Sequence, residues 1–491
     1  MNHVKLCASL MALAPWALLS QSKLAPAPPS YTIKVQVEGL NRDTVYLAHY
    51  YGNKLYYADT TIADAKGNFE FAGRSAEACG KHAIVMPGPK YFEFLAVEED
   101  IVLKSKASDP MRFVEVVKSD ENKIYYDYLK FIQERRVIAQ PYEAILGDSL
   151  ASESAVSEAR EILTQLGDEV AAEQKRLLEN EPNRLFSKYL NMVLEPEIPE
   201  VPSLIANPQE LQYRWYRNHY WDRVDFDDPR LVHDGSFHQF LEKYWTRVLP
   251  QIPDSMIVEA DRLIANMVNN SEMFKYVTHF ITFNAESSQI MCMDKVFVHM
   301  VDTYYASGRA VWMKDEQTQK VVDRANELRD SQCGNVMPNI ILPGLDQSEW
   351  KALHDIEAKY TAVIIWESTC GHCKKELPRY KELYEKWKPK GLEVFAIGND
   401  FEPEPWQKFV QEKGYTDWIN VSDNPQVNAQ DSASVLIYSG ITTLKSLNFR
   451  TTFDVFATPK VFLLDKDKRI VAKQIGAEQM EEILGRLESM N

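Results

Sequence analysis

The chain has 491 residues, too many for one apolar core, and that length points to about three domains. Apolar residues make up 45% and aromatics 11%, which argues against an intrinsically disordered chain. A net charge of -16 argues against nucleic acid or an anionic membrane surface as partner, because both require basic patches.

The first residues read as a targeting segment. Met1 to Lys5 is weakly basic, Leu6 to Leu19 is apolar but too short to span a bilayer, and Ser20, Gln21 and Ser22 follow. Residues 1–22 are therefore expected to be a signal peptide, with retention as an uncut anchor as the competing reading. A Pro/Ala linker, Leu24 to Ser30, comes next. Cys7 stands too early in the apolar run for a lipoprotein cysteine. Export places the rest of the chain in the periplasm or cell envelope of a Gram-negative-type bacterium.

Residues 31–115 alternate apolar and polar positions in short segments, as in Thr32–Val37, Thr44–Leu47, Asn68–Phe71 and Ile101–Lys104. Asn41-Arg42-Asp43, Lys66-Gly67-Asn68 and Pro87-Gly88-Pro89 supply turns. A small antiparallel β domain is predicted, with no catalytic constellation.

Residues 116–333 change to a helical period, giving a mainly α-helical middle domain. Ile124, Tyr125, Tyr128, Leu129 and Ile132 mark one amphipathic helix, and Ala151 to Leu178 a long one. Further helices are predicted near 236–248, 254–268, 293–305 and 315–329, separated by proline-rich breaks. The run Tyr213 to Arg223 is dense in aromatics and arginines. It reads as a helix that packs its rings inward, with a binding groove as the alternative. His233, His238, His279 and His299 show no metal-ligand spacing, and Asp225 to Asp228 lacks the pattern of a calcium loop.

Past the N-terminal segment the cysteines are Cys79, Cys292, Cys333, Cys370 and Cys373. An odd number with three isolated members argues against a disulfide-stapled scaffold. Cys79, Cys292 and Cys333 are expected as small buried side chains.

Residues 334–491 turn α/β. Ala362 to Trp366 is a buried strand, and Leu377, Tyr380, Leu383, Tyr384 and Trp387 recur at helical spacing behind it. Cys370-Gly371-His372-Cys373 therefore sits at a strand-to-helix corner. There the helix dipole and free N–H groups stabilise a thiolate at Cys370, and Cys373, one turn on, is placed to attack a mixed disulfide. Gly371 leaves room for another chain to approach, and a charged His372 lowers the thiol pKa further. A Cys-x-x-Cys can also be half a zinc site or an inert disulfide. No second such pair supplies the missing zinc ligands, so no metal is assigned. Leu392 to Ile397 is the next strand, Val461–Leu464 and Arg469–Ala472 form a hairpin, and a helix closes the chain over 477–490.

The run Trp366-x-x-x-Cys370-x-x-Cys373-x-x-Glu376-x-Pro378, the Thr458-Pro459 ahead of a strand, and the Pro338-Asn339 lead-in together resemble the TlpA/ResA type of thioredoxin-fold envelope oxidoreductase. The resemblance covers about the last third of the chain. It implies Cys370 as attacking thiol, Cys373 as resolving thiol, and Pro459 as a cis-proline that frees the Thr458 backbone for a substrate strand. Glu376 would be a proton acceptor for Cys373, or else an ordinary surface glutamate. The buried acid of ordinary thioredoxins is replaced by Ile364, and His372 stands where the family often has proline. The whole layout is similar to multidomain envelope proteins of this kind.

These readings lead to an exported thiol–disulfide oxidoreductase that acts on protein thiols and disulfides, exchanges electrons with an upstream redox protein and needs no cofactor. The alternative is an envelope scaffold that holds a protein partner through residues 31–333.

Overall fold

The computed structural model describes residues 31–72, 79–88, 90–202, 206–423 and 431–489; the expected signal peptide and its linker lie outside them. The described residues divide into two compact units, 31–49 with 55–172, and 50–54 with 173–489.

The first unit holds two four-stranded sheets. One has the order β4(Asn68–Ala72)-β1(Thr32–Glu38)-β7(Ile101–Lys106)-β8(Glu115–Lys118). The other has the order β3(Lys54–Ile62)-β2(Thr44–Tyr51)-β5(Gly80–Met86)-β6(Lys90–Ala96). Alternation decides which side chains meet: Ile33, Val35 and Val37 of β1 and Phe69 and Phe71 of β4 join Phe92 and Phe94 of β6 in one core. One pair departs from the antiparallel expectation, because β1 and β7 run parallel in the register Ile33↔Ile101. The chain between them is long enough to build the second sheet before returning. Helix α1(Asp120–Gly147) starts on a Ser119 cap that accepts from the Asn122 amide at 3.0 Å. The buried Asn122 side chain then exchanges hydrogen bonds of 2.8 and 2.7 Å with the Leu95 main chain. These satisfy polar groups of β6, the outer strand of its sheet. Helix α2(Glu153–Asn180) carries the chain from the first unit into the second.

The second unit continues with α3(Leu185–Val193), α4(Pro208–His219), α5(Gly235–Lys243), α6(Pro253–Ala265), α7(Ser271–Ser287), α8(Asp294–Met300) and α9(Asp315–Arg329). The aromatic run divides. Tyr220 and Trp221 are buried just past α4, whereas α4 itself has no fully buried residue. The acidic run is structural: Asp228 is buried and takes Lys188 at 2.7 Å and Arg230 at 2.6 Å. Burial would push its carboxyl up, but those two cations hold it down at about 2.

Cys292 and Cys333 correct the expectation of unpaired buried cysteines. They form a disulfide, with Cα atoms 5.6 Å apart and a sequence separation of 41. Neither lies in a motif; folding alone brings the turn before α8 to the segment after α9. Cys79 is buried and is not part of a disulfide.

The last third is a five-stranded sheet of order β13(Ile419–Ser422)-β12(Leu392–Gly398)-β11(Tyr360–Trp366)-β14(Lys460–Asp465)-β15(Ile470–Lys473). The first three strands are parallel, and β14 and β15 are antiparallel to their neighbours. The short pair β9(Ile341–Pro343) and β10(Trp350–Ala352) precedes it. Helix α10(Gly371–Trp387) and the closing helix Ala477–Ser489 pack on one face around Ile364 and Val394. Phe449, Phe453 and Met337 cover the other face around Val363 and Phe395. Helix α11(Pro403–Lys413) follows β12.

A Cys292→Ser/Cys333→Ser double variant should unfold at a lower temperature, since a crosslink across this loop is worth about 4 kcal/mol on chain-entropy grounds. Alkylation of unfolded, unreduced wild type should leave both cysteines unlabelled, as read by peptide mass.

Candidate redox site

All seven residues of β11 are buried, because apolar cores cover both faces of the sheet. The strand stops at Trp366, where the Asn399 amide donates to the Trp366 carbonyl at 2.7 Å. The chain then turns on a buried carboxylate. The Ser368 amide donates to the two Asp400 oxygens at 3.0 and 3.2 Å, and the Ser368 hydroxyl also donates to Asp400. Cys370 follows as the residue capping α10, and its Sγ accepts from the Cys373 amide at 3.3 Å. Its sulfur thus takes the place that a serine or aspartate oxygen usually fills at a helix start.

The two thiols differ sharply. Burial alone would push Cys370 up, but hydrogen bonds from Thr458, Cys373 and His372 outweigh it and hold the thiol below its ordinary value. One contact opposes this: the Cys370 Sγ donates to the Thr458 carbonyl at 3.4 Å, a bond that only the protonated form makes. The lowering prevails, because the amides of His372 and Cys373 at the helix start face the sulfur. Cys373 is fully buried, and burial followed by its neighbour Cys370 pushes it up to about 11.

The Thr458–Pro459 peptide is cis and lies against the pair. Beside it is a cavity of about 360 Å³ whose lining includes His372, Glu376, Asp454, Phe456, Pro459 and Lys460. Trp366 lies buried beneath, its ring 5.3 Å from Phe409. Gly371 and His372 are exposed, and a Cβ built on Gly371 would meet nothing within 4 Å. Glu376 is partly buried and pairs with Arg379 at 3.3 Å. Ile364 is fully buried in the core against α10. The eight residues singled out in sequence, from Trp366 to Pro459, thus gather at one end of the sheet.

Sequence reasoning missed four others. Asp400 ties the turn. Lys460 opens β14 with a buried amine that donates to the Asp454 carbonyl and, at 3.4 Å, to its carboxylate. Burial pulls its pKa below the ordinary value. Asp454 in turn receives Arg324 of α9. The one visible signal was Lys460, a charge at the head of an otherwise apolar strand directly after the proline.

Reaction with iodoacetamide should follow these values. At pH 7 Cys370 should be labelled and Cys373 spared, with labelling of Cys370 rising as pH passes upward through its lowered pKa. In a Cys370→Ser variant burial still raises the Cys373 thiol, so its labelling should rise only at a pH above that at which wild-type Cys370 reacts, read by mass spectrometry.

Three family models match the chain. An AhpC/TSA family model covers residues 333–473, and two domains of unknown function, DUF4369 and DUF5106, cover 31–125 and 168–329. Among named relatives, the thiol-disulfide oxidoreductase ResA of Bacillus thuringiensis is 26% identical over 159 residues, 32% of this chain and 79% of the relative. The ResA of Geobacillus kaustophilus is 28% identical over 158 residues, 32% of this chain and 77% of that protein. Among solved structures, a thioredoxin-like protein from Bacteroides caccae is 19% identical with a TM-score of 0.42, covering 59% of this chain and 97% of that one. Residues 333–473 match the AhpC/TSA family model, a thioredoxin-like domain, and the enzyme class of the chain is thiol–disulfide oxidoreductase.

Proposed function

We propose that the chain is an exported oxidoreductase that exchanges disulfides with protein substrates through Cys370 and Cys373. The observation that carries this reading is the unequal pair: a lowered, partly exposed thiol at Cys370 and a buried, raised thiol one turn later.

The Cys370 thiolate attacks one sulfur of a partner disulfide. That S–S bond breaks, a mixed disulfide forms, and the released partner thiolate takes a proton. Cys373 then gives up its proton and attacks the Cys370 sulfur. The Cys370–Cys373 disulfide closes, the second partner thiol leaves, and two electrons have passed to the partner. An upstream redox protein restores the dithiol; with the flow reversed, the same steps oxidise a client.

The raised Cys373 thiol needs a base. Ile364 offers none, whereas Glu376 lines the cavity three residues along the same helix. Glu376 is the proton acceptor in this reading, and Thr458 and Pro459 receive the substrate strand. Export rests on residues 1–22; among the described residues no helix is long and apolar enough to cross a membrane. The helical and β segments take a protein partner of the envelope.

Cys370→Ser should abolish reduction of insulin by the mature protein, and full activity in that variant would overturn the reading. Cys373→Ser should accumulate the mixed disulfide on a non-reducing gel. His372→Pro should make the pair less oxidising by about 30 mV or more, a tenfold change in the exchange constant, measured against glutathione buffers.

A further inference from the structure

The loop that brings Thr458 to the Cys370 sulfur begins at Asp454, whose φ of 52° is a left-handed conformation that aspartate tolerates better than most residues. The Asp454 carboxylate has two cationic partners. Lys460 reaches it from the far side of the loop at 3.4 Å. Arg324 grips it with both guanidinium arms, Nη1 to Oδ1 at 2.5 Å and Nη2 to Oδ2 at 3.2 Å, the two-pronged geometry that fixes orientation as well as distance. The same guanidinium lies 5.4 Å from the ring centre of Phe456, in the middle of the loop.

Arg324 is not part of the thioredoxin-like fold. It projects from α9 of the helical segment, and that helix is itself held firmly. Ala325 and Leu328 are buried, Arg329 pairs with Asp302, and Asp330 just past the helix pairs with Lys445 at 2.6 Å. The Cys292–Cys333 disulfide closes the segment, and the buried Lys473 of β15 joins Asp294 at 2.7 Å and the Ser331 carbonyl at 2.8 Å.

We propose that Arg324 is a positioning residue of the redox site: by clamping Asp454 and Phe456 it fixes the loop 454–458 that sets Thr458 against the Cys370 sulfur. The helical segment is then a working part of the oxidoreductase rather than an appendage to it. This rests on the reading of Cys370–Cys373 as the redox pair. With Arg324 removed, Lys460 still neutralises Asp454, so the fold survives while the loop loses its anchor.

The test is the pH profile of Cys370 alkylation in the full-length protein, with insulin reduction measured alongside. Arg324→Gln should move the midpoint of Cys370 labelling upward, because a loosened Thr458 gives up the hydrogen bond that lowers the thiol most, and slow labelling at pH 7 by about three- to tenfold, since one pH unit is a tenfold change in thiolate. Asp454→Asn, which removes the acceptor charge but keeps the shape, should shift the profile the same way. Arg324→Lys should restore part of the change. Lys320→Gln, on the exposed side of the same helix, should leave the profile as in wild type. A wild-type profile in both Arg324→Gln and Asp454→Asn, even with a lowered melting temperature, would overturn the proposal. The two readings fail separately. Full insulin reduction by Cys370→Ser would reject the redox assignment, while the alkylation profile of the Arg324 variants would still report on the clamp.

Discussion

The redox site depends on the corner where β11 meets α10, where the Cys373 amide donates to the Cys370 sulfur. That hydrogen bond exists because α10 starts at Gly371, leaving the amides of its first turn without partners inside the helix. The helix starts there because β11, buried on both faces, has carried the chain to the end of the sheet. The turn between them is pinned by Ser368 on the Asp400 carboxylate. Neither cysteine has unusual chemistry of its own; the corner supplies it.

The inequality of the two thiols has the same source. They lie one turn apart, yet one faces the rim and the other enters the core that holds Trp366 and Leu377. Burial disfavours a thiolate wherever dipoles or charges do not repay it, and only Cys370 has enough of them. In the proposed exchange, a low outer thiol and a high inner one set the order: the outer sulfur would meet the partner, and the inner sulfur would stay protonated until a mixed disulfide forms.

The second unit holds the helical segment and the five-stranded sheet together, and polar and covalent ties run through it. The Cys292–Cys333 disulfide, the buried Lys473–Asp294 pair and the Arg324–Asp454 clamp join residues far apart in sequence. Two of these involve β15 or the loop before β14, and that loop ends at the cis-proline. Charges so placed stabilise little if exposed and matter more when partly buried, where geometry rather than net energy is what they determine.

Local sequence determined what depends on neighbours along the chain. Four period-two strands of the first unit, the long helices, the buried strand ending at Trp366 and the Cys-x-x-Cys after it all follow from spacing, because burial and capping repeat with the backbone period. The family resemblance added Glu376, Thr458 and Pro459, and folding brought them beside the cysteines. Tertiary structure alone decided the parallel pairing of β1 with β7, the disulfide between two isolated cysteines, and the grip of Arg324 on Asp454. Each joins residues tens to more than a hundred positions apart, with no periodicity to announce the meeting. An arginine on a helix face looks the same in sequence whether it meets water or a carboxylate. Only the packing of α9 against the loop before the proline distinguishes the two.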